Sequence, residues 1–417
     1  EASGHEGARF ASWSSTISNA PQGSGSSYTL PIPSNTPPGV YIVTGHGVHG
    51  CDHVATVVVI KVDMTAYRPQ TETYGHPFAK HEVPNDHEEN PGAGIRINGD
   101  DDNHNSSPDK DDESVTGDND LIEVKLETAP VPTPSDVEYI LKMNSDNLNV
   151  WSTQTKDSGT EILACFYESP LNVATLTFSS ASITVWVENP VGGTDDLELI
   201  VRKKSEGSII CSDKIHFYPF TSVIIALGGF GQVPADPPDP THGIFHIATN
   251  LYANGYDVHM YDEDEVHNGE VGLPYDEVVR ACHERQVAHV AIYGYSRGGG
   301  ATYDLTSGLH DNEAIDAEIS GWIDAIESAL IGHDSETRRP PFSGFHVNYY
   351  QRTGSPGIPI TLMGNALGDP MPGDFQMNVT TAGWTDAASN PLNHFTIDDD
   401  VRVMDGVRNR IEATVPR

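Results

Sequence analysis

The feature that most constrains this chain is a change in hydrophobic pattern at Ser222. Before it, apolar and polar residues alternate in short runs; after it, unbroken apolar runs are separated by segments at helical spacing. Alternation with period two marks strands that bury one face, whereas an unbroken apolar run followed by a helical stretch marks a strand buried on both faces. The upstream part, from Tyr28 to Asp63 and again from Leu121 to about Phe220, therefore reads as β structure. Gly39–Thr44 and Ala55–Val62 look like the closing half of an immunoglobulin-like sandwich, and Ile122–Leu126, Leu176–Phe178, Ile183–Val187 and Leu197–Val201 like strands of a second one. Cys51-Asp52-His53 before Val57–Val59 echoes Cys211-Ser212-Asp213 before Ile215–Phe217, a weak hint of two copies of one β module. The expected division is 1–65 for a partial Ig-like module, 66–120 for an acidic linker, 121–220 for a β-sandwich and 221–417 for a catalytic domain.

Downstream, Val223–Leu227 reads as a strand, Ile244–Tyr252 as a helix, Tyr256–Tyr261 as a strand and Tyr275–Gln286 as a helix entered through Pro274. The strand Val287–Tyr293 follows. Such alternation predicts an α/β architecture, a mostly parallel sheet covered on both faces, with functional groups at the carboxyl ends of its strands.

At that edge stands Gly294-Tyr295-Ser296-Arg297-Gly298, a G-x-S-x-G pentapeptide between strand and helix. A sharp strand-to-helix turn needs small residues around its central residue, and it leaves a hydroxyl exposed at the sheet edge. Ser296 is the candidate nucleophile, against the plainer reading of a glycine-rich turn in a chain with 39 Gly. A serine attacks carbonyls only with a base in reach and an acid to orient that base. His394, just before a terminal helix striped with Val401, Met404, Val407 and Ile411, is preferred over His310, His333 and His346. Asp324, at the end of the strand Ile319–Ile323, is the preferred acid, with Asp369 and Asp374 as competitors. Gly228-Gly229-Phe230-Gly231 after the first parallel strand can bring an amide close, so the Phe230 and Arg297 N–H groups are the candidate oxyanion pair. That loop does not meet the G-x-G-x-x-G pattern of dinucleotide sites.

From Ser222 onward these motifs resemble the α/β-hydrolase superfamily, in particular its lipase-like members. Gly228-Gly229-Phe230 is similar to the H-G-F segment of secreted lipases with Gly228 in the place of His, Gly294–Gly298 to the nucleophile elbow, and Trp322-Ile323-Asp324-Ala325 to the G-L-D-P segment that supplies the acid. The resemblance implies a Ser296–His394–Asp324 triad and an acyl-enzyme. No Pro follows Asp324 and no long amphipathic lid is evident, which separates ester hydrolysis from activation at lipid interfaces.

With 23 Lys and Arg against 60 Asp and Glu, the formal charge of -37 repels nucleic acid and anionic membranes. Part of this acidity is patterned. Asp101, Asn103, Asn105, Asp109 and Asp112 place side-chain oxygens at short intervals, as a hard cation such as calcium requires, and resemble the aspartate-rich repeats of thrombospondin-type modules with Ser106 where Gly is usual. The alternative is a solvated acidic linker. Catalysis itself calls for no cofactor. The start at Glu1 and the absence of an apolar signal core or a spanning segment read as a mature or trimmed secreted chain. Four cysteines are too few for a disulfide framework; Cys282 reads as a buried thiol, and a Cys165–Cys211 bridge is an open alternative. The expectation is a secreted serine hydrolase of small or polymeric carboxylic esters. Its rivals are a calcium-dependent extracellular binding protein with a silent hydrolase domain, and a serine peptidase.

Overall fold

The computed structural model describes residues 10–48, 52–68, 94–97 and 121–417, with 2–3 and 81–83, apart from short stretches of which the longest are 154–159, 165–170, 233–242, 267–271, 328–334 and 355–361. The period-two segments pair as two sheets around one core. One sheet runs Val173–Leu176, Val137–Met143, Asp195–Lys203 and Ile209–Pro219 in antiparallel order, with Ile95–Ile97 added in parallel at its edge. The other runs Glu161–Leu163, Asn149–Trp151, Ser182–Glu188, Ile122–Ala129, Lys61–Arg68 and His81–Val83, antiparallel throughout. Ile122, Val124 and Leu126 face inward from one sheet and Leu197, Leu199 and Val201 from the other, while the residues between them reach solvent. Lys61–Arg68 crosses the boundary expected at residue 65, and Ile95–Ile97 falls within the expected linker; both supply core side chains to this sandwich. A separate three-stranded sheet, Phe10–Ser15, Gly39–Gly47 and Asp52–Val59, has a small core of Trp13 and Val43 with Leu30 and Val57.

The unbroken apolar runs pair differently. Val258–Tyr261, Ser222–Leu227, His289–Tyr295, Ala317–Ile323, Ser343–Tyr350 and Phe375–Asn378 form a parallel sheet in that order. Helices α1 (Gly243–Ala253) and α4 (Val401–Thr414) pack on one face, and α2 (Leu273–His283) and α3 (Arg297–Glu313) on the other.

The expectation of an α/β chain carrying an α/β-hydrolase fold is corrected by this architecture. Among the described residues there are only four α-helices, and most strands are antiparallel, the six-stranded parallel sheet being the exception. The expectation took its class from the segment after Ser222, which holds all four of these helices and the parallel sheet, whereas the strands before it, which pair almost entirely antiparallel, are more numerous.

Arg68, at the end of its sandwich strand, reaches the parallel sheet's domain. Its buried guanidinium donates to the carbonyls of Tyr252 at 3.1 Å and Tyr256 at 2.8 Å, and lies over the rings of Phe220 and Tyr252. Of the open Cys165–Cys211 alternative, Cys165 lies outside the described residues, and Cys211 is a free thiol, half-buried with its Sγ 3.8 Å from the Ile60 carbonyl. Cys282 is free as well, and burial pushes its thiol up to about 11, which leaves it protonated and unreactive.

Candidate active site

Ser296 sits between the strand His289–Tyr295 and α3 with φ 53° and ψ -122°, a backbone conformation that side-chain-bearing residues rarely adopt. Its surroundings explain the glycines. A Cβ on Gly294 would lie 2.2 Å from the Gly298 carbonyl oxygen, and one on Gly298 would lie 2.3 Å from the carbonyl oxygens of Gly228 and Leu227. The turn therefore closes only with glycine at both positions, and it is held by the Ser296 amide donating to the Ile323 carbonyl at 3.0 Å.

The Ser296 hydroxyl is 2.9 Å from Nε2 of His394, and Nδ1 of His394 is 2.7 Å from Oδ2 of Asp324. The imidazole thus bridges a hydroxyl and a carboxylate 70 residues away in the chain. His394 lies in the turn leading to α4. Its amide donates to the Gly354 carbonyl at 3.2 Å, and its carbonyl accepts a short hydrogen bond from the Tyr295 hydroxyl. The Tyr295 ring, stacked 5.3 Å from the imidazole, fixes its plane from the residue next to the serine.

Asp324 is wholly buried, and burying a carboxylate is costly unless its oxygens are hydrogen-bonded. Here they are. Oδ1 accepts from the amides of Gln351 at 3.0 Å and Gly364 at 2.7 Å, and Oδ2 accepts from Gln351 Nε2 at 2.7 Å besides the imidazole. The remaining partners of the carboxylate are amide donors, so Oδ2 is placed to accept from an Nδ1–H of His394. Nε2 is then left free to take the serine proton.

The other candidates are engaged elsewhere. Asp369 accepts from the Arg339 amide at 3.1 Å, and Asp374 forms a two-point pair with the Arg339 guanidinium at 2.8 and 3.0 Å. His310 pairs with Asp316 at 2.6 Å. His346 is buried against Ser320 at 2.7 Å, and burial lowers its pKa to about 3, so it stays neutral. His333 and the candidate calcium ligands Asp101, Asn103, Asn105, Asp109 and Asp112 lie outside the described residues.

The candidate oxyanion amides come from the two segments flanking the hydroxyl. Arg297 is the first residue of α3, where helix amides have no partner within the helix and the macrodipole favours negative charge. Phe230 follows Gly229, whose position is so close that a Cβ there would lie 3.1 Å from Ser296 Cβ. The Arg297 guanidinium packs 5.3 Å from the exposed Phe230 ring and pairs with the buried Glu263 at 3.2 Å, tying the two segments together.

Sequence reasoning missed Gln351 and Gly364, which hold Asp324, and the buried group Asp257, His259 and Glu277. That group has the residue types and spacing of a metal site. Arg285, 3.5 Å from Asp257 and in a short contact with Glu277, already supplies its positive charge, so it reads as an ion-pair cluster.

No known protein family matches the sequence, and no curated protein does. Solved structures similar to parts of the chain include a conjugative transposon lipoprotein from Bacteroides eggerthii DSM 20697, 11% identical over 38% of this chain and 93% of that one, with a TM-score of 0.18. Another is the Yersinia pseudotuberculosis adhesin InvE, 13% identical over 52% of this chain and 50% of that one, with a TM-score of 0.16. Likenesses of this size carry no argument about activity. The resemblance to lipase-like α/β-hydrolases is corrected: no family model matches the sequence, and among the described residues most strands pair antiparallel. No described helix is long and apolar enough to cross a membrane.

Proposed function

We propose that the chain is a serine hydrolase of carboxylic esters, acting outside the cell on small or polymeric substrates. The observation that carries this reading is the buried hydrogen-bonded line from Asp324 through His394 to Ser296. In the proposed cycle Ser296 Oγ attacks the ester carbonyl while its proton passes to His394 Nε2. The carbonyl oxygen, now negative, is held by the Phe230 and Arg297 amides. The C–O bond to the alcohol breaks as His394 returns the proton to the departing oxygen, leaving an acyl-serine. Water, deprotonated by the same imidazole, then releases the acid. The strained backbone at Ser296 supports a functional role, since such strain costs on the order of 1–3 kcal/mol and persists where the surrounding packing over-determines it.

The test is hydrolysis of p-nitrophenyl butyrate together with covalent labelling by a fluorophosphonate, in the wild type and in Ser296→Ala. Turnover and labelling that both vanish in the variant are expected. A wild type that neither turns over ester nor takes the label would favour a binding protein with a silent site, and faster cleavage of peptide amides than esters would favour a peptidase.

A further inference from the structure

The segment that brings Phe230 to the nucleophile is glycine-rich and carries few side chains of its own to hold its shape. One side chain does hold it. Gln232 Oε1 accepts the Gly229 amide at 2.8 Å, and its backbone amide donates to the Gly229 carbonyl, also at 2.8 Å. The far side of the same carboxamide is anchored too, with Nε2 donating to Oδ2 of Asp398 at 3.3 Å. Asp398 is buried, four residues beyond His394, and its backbone is locked against the start of α1: a Cβ on Gly243 would lie 1.6 Å from the Asp398 carbonyl oxygen, and the Gly243 amide donates to Asp399 at 3.0 Å.

Resting on the hydrolase reading above, we propose that Gln232 is a positioning residue that fixes the Gly229–Phe230 amides opposite Ser296, and that Asp398 is its anchor. A short glycine loop samples many conformations, and an amide that stabilises an oxyanion must be in place before the charge develops. The carboxamide ties that loop to the segment that carries the catalytic base, so the base and the amides hold a fixed relation. The carboxyl suits the task. Burial, followed by the neighbouring Asp399 and Asp324 charges, pushes Asp398 up to about 8, so at neutral pH it accepts from Gln232 without adding a negative charge beside the developing oxyanion. The other groups around it, Gln232 and the Tyr295 hydroxyl, are uncharged as well.

The experiment compares kcat and KM for p-nitrophenyl butyrate in the full chain across Gln232→Ala, Gln232→Glu and the pair Gln232→Glu with Asp398→Asn. Removing one oxyanion donor outright costs roughly 100- to 1000-fold in kcat, so a loosened donor in Gln232→Ala is expected to lower kcat about 10- to 100-fold with KM nearly unchanged. In Gln232→Glu the glutamate can still accept from Gly229 but has no amide to offer Asp398, and activity is expected to fall further above neutral pH. The paired variant restores a donor at position 398 facing an acceptor at 232, and kcat is expected to recover at least fivefold over Gln232→Glu. Wild-type kcat in Gln232→Ala, or no recovery in the pair, would overturn the positioning role while leaving the hydrolase intact. An inactive wild type would overturn both.

Discussion

Among the described residues two Ser–His–Asp lines occur, one at the edge of the parallel sheet and one on the face of the three-stranded antiparallel sheet. In the second, Ser14 Oγ is 3.0 Å from His46 Nε2, and His46 Nδ1 is 3.2 Å from Asp52. By distance alone it nearly matches the 2.9 and 2.7 Å of Ser296, His394 and Asp324. The surroundings differ. The side chains of His46 and Asp52 are 41% and 53% exposed, those of His394 and Asp324 3% and 0%. Coulombic attraction between two charges about 4 Å apart falls from roughly 4 kcal/mol near a protein surface to about 1 kcal/mol in water, so a solvated aspartate orients and stabilises an imidazolium weakly. Ser14 also lies within a strand, next to its last residue, whereas Ser296 caps a helix on a strained turn beside a glycine loop. The two lines differ in burial and in the hydrogen bonds that hold the acid, and hydrogen-bond spacing alone does not separate them.

The largest test of this contrast is Ser296→Ala against Ser14→Ala. The first is expected to lower ester hydrolysis by roughly four orders of magnitude or more and the second to leave it within about twofold, both read from kcat/KM. Fluorophosphonate-labelled peptide mapped by mass spectrometry should contain Ser296 and not Ser14; label on Ser14 would break the distinction. Next in size, Asp324→Asn is expected to cost about 10³- to 10⁴-fold in kcat by reversing the polarity of the bond to His394 Nδ1, while Asp52→Asn changes nothing measurable. Smaller again, Gln351→Ala removes one of the donors on Asp324 and is expected to lower kcat about 10-fold, a loss comparable to one charge-assisted hydrogen bond of about 1.5–3 kcal/mol. The smallest effect is on stability. The folded state keeps the Asp398 proton up to about pH 8, whereas an unfolded carboxyl releases it near the ordinary value of 3.8. Between these values the folded state binds more protons, so its stability falls as pH rises through that window. Asp398→Asn is therefore expected to raise the melting temperature more at pH 9 than at pH 5, measured by differential scanning calorimetry.

What could be seen in the sequence was whatever depends on neighbours in the chain. The turn at Ser296 was legible because Gly294 and Gly298 flank it, and the apolar run before it is observed as the strand His289–Tyr295. Asp324 was legible because it ends the next strand. Gln351 and Gly364 were not, since they meet Asp324 through loops whose approach no local pattern encodes. The same holds for Ser14, His46 and Asp52, which meet only because of the register Ser14↔Thr44 and His46↔Asp52. The balance of antiparallel and parallel strands is hidden for a related reason. The pairing of Lys61–Arg68 with Ile122–Ala129 spans a long acidic segment that carries no periodicity, so the extent of the antiparallel sheets is not encoded locally.

The guanidinium of Arg68 has a consequence for dissecting the protein. A fragment beginning at Ser222 would strip the donor from the Tyr252 and Tyr256 carbonyls and remove the guanidinium from the face of the Tyr252 ring near the end of α1. The parallel-sheet unit and the β-sandwich share this buried cation, so heat is expected to melt them as one cooperative body, and a fragment without the sandwich is expected to be a weaker scaffold.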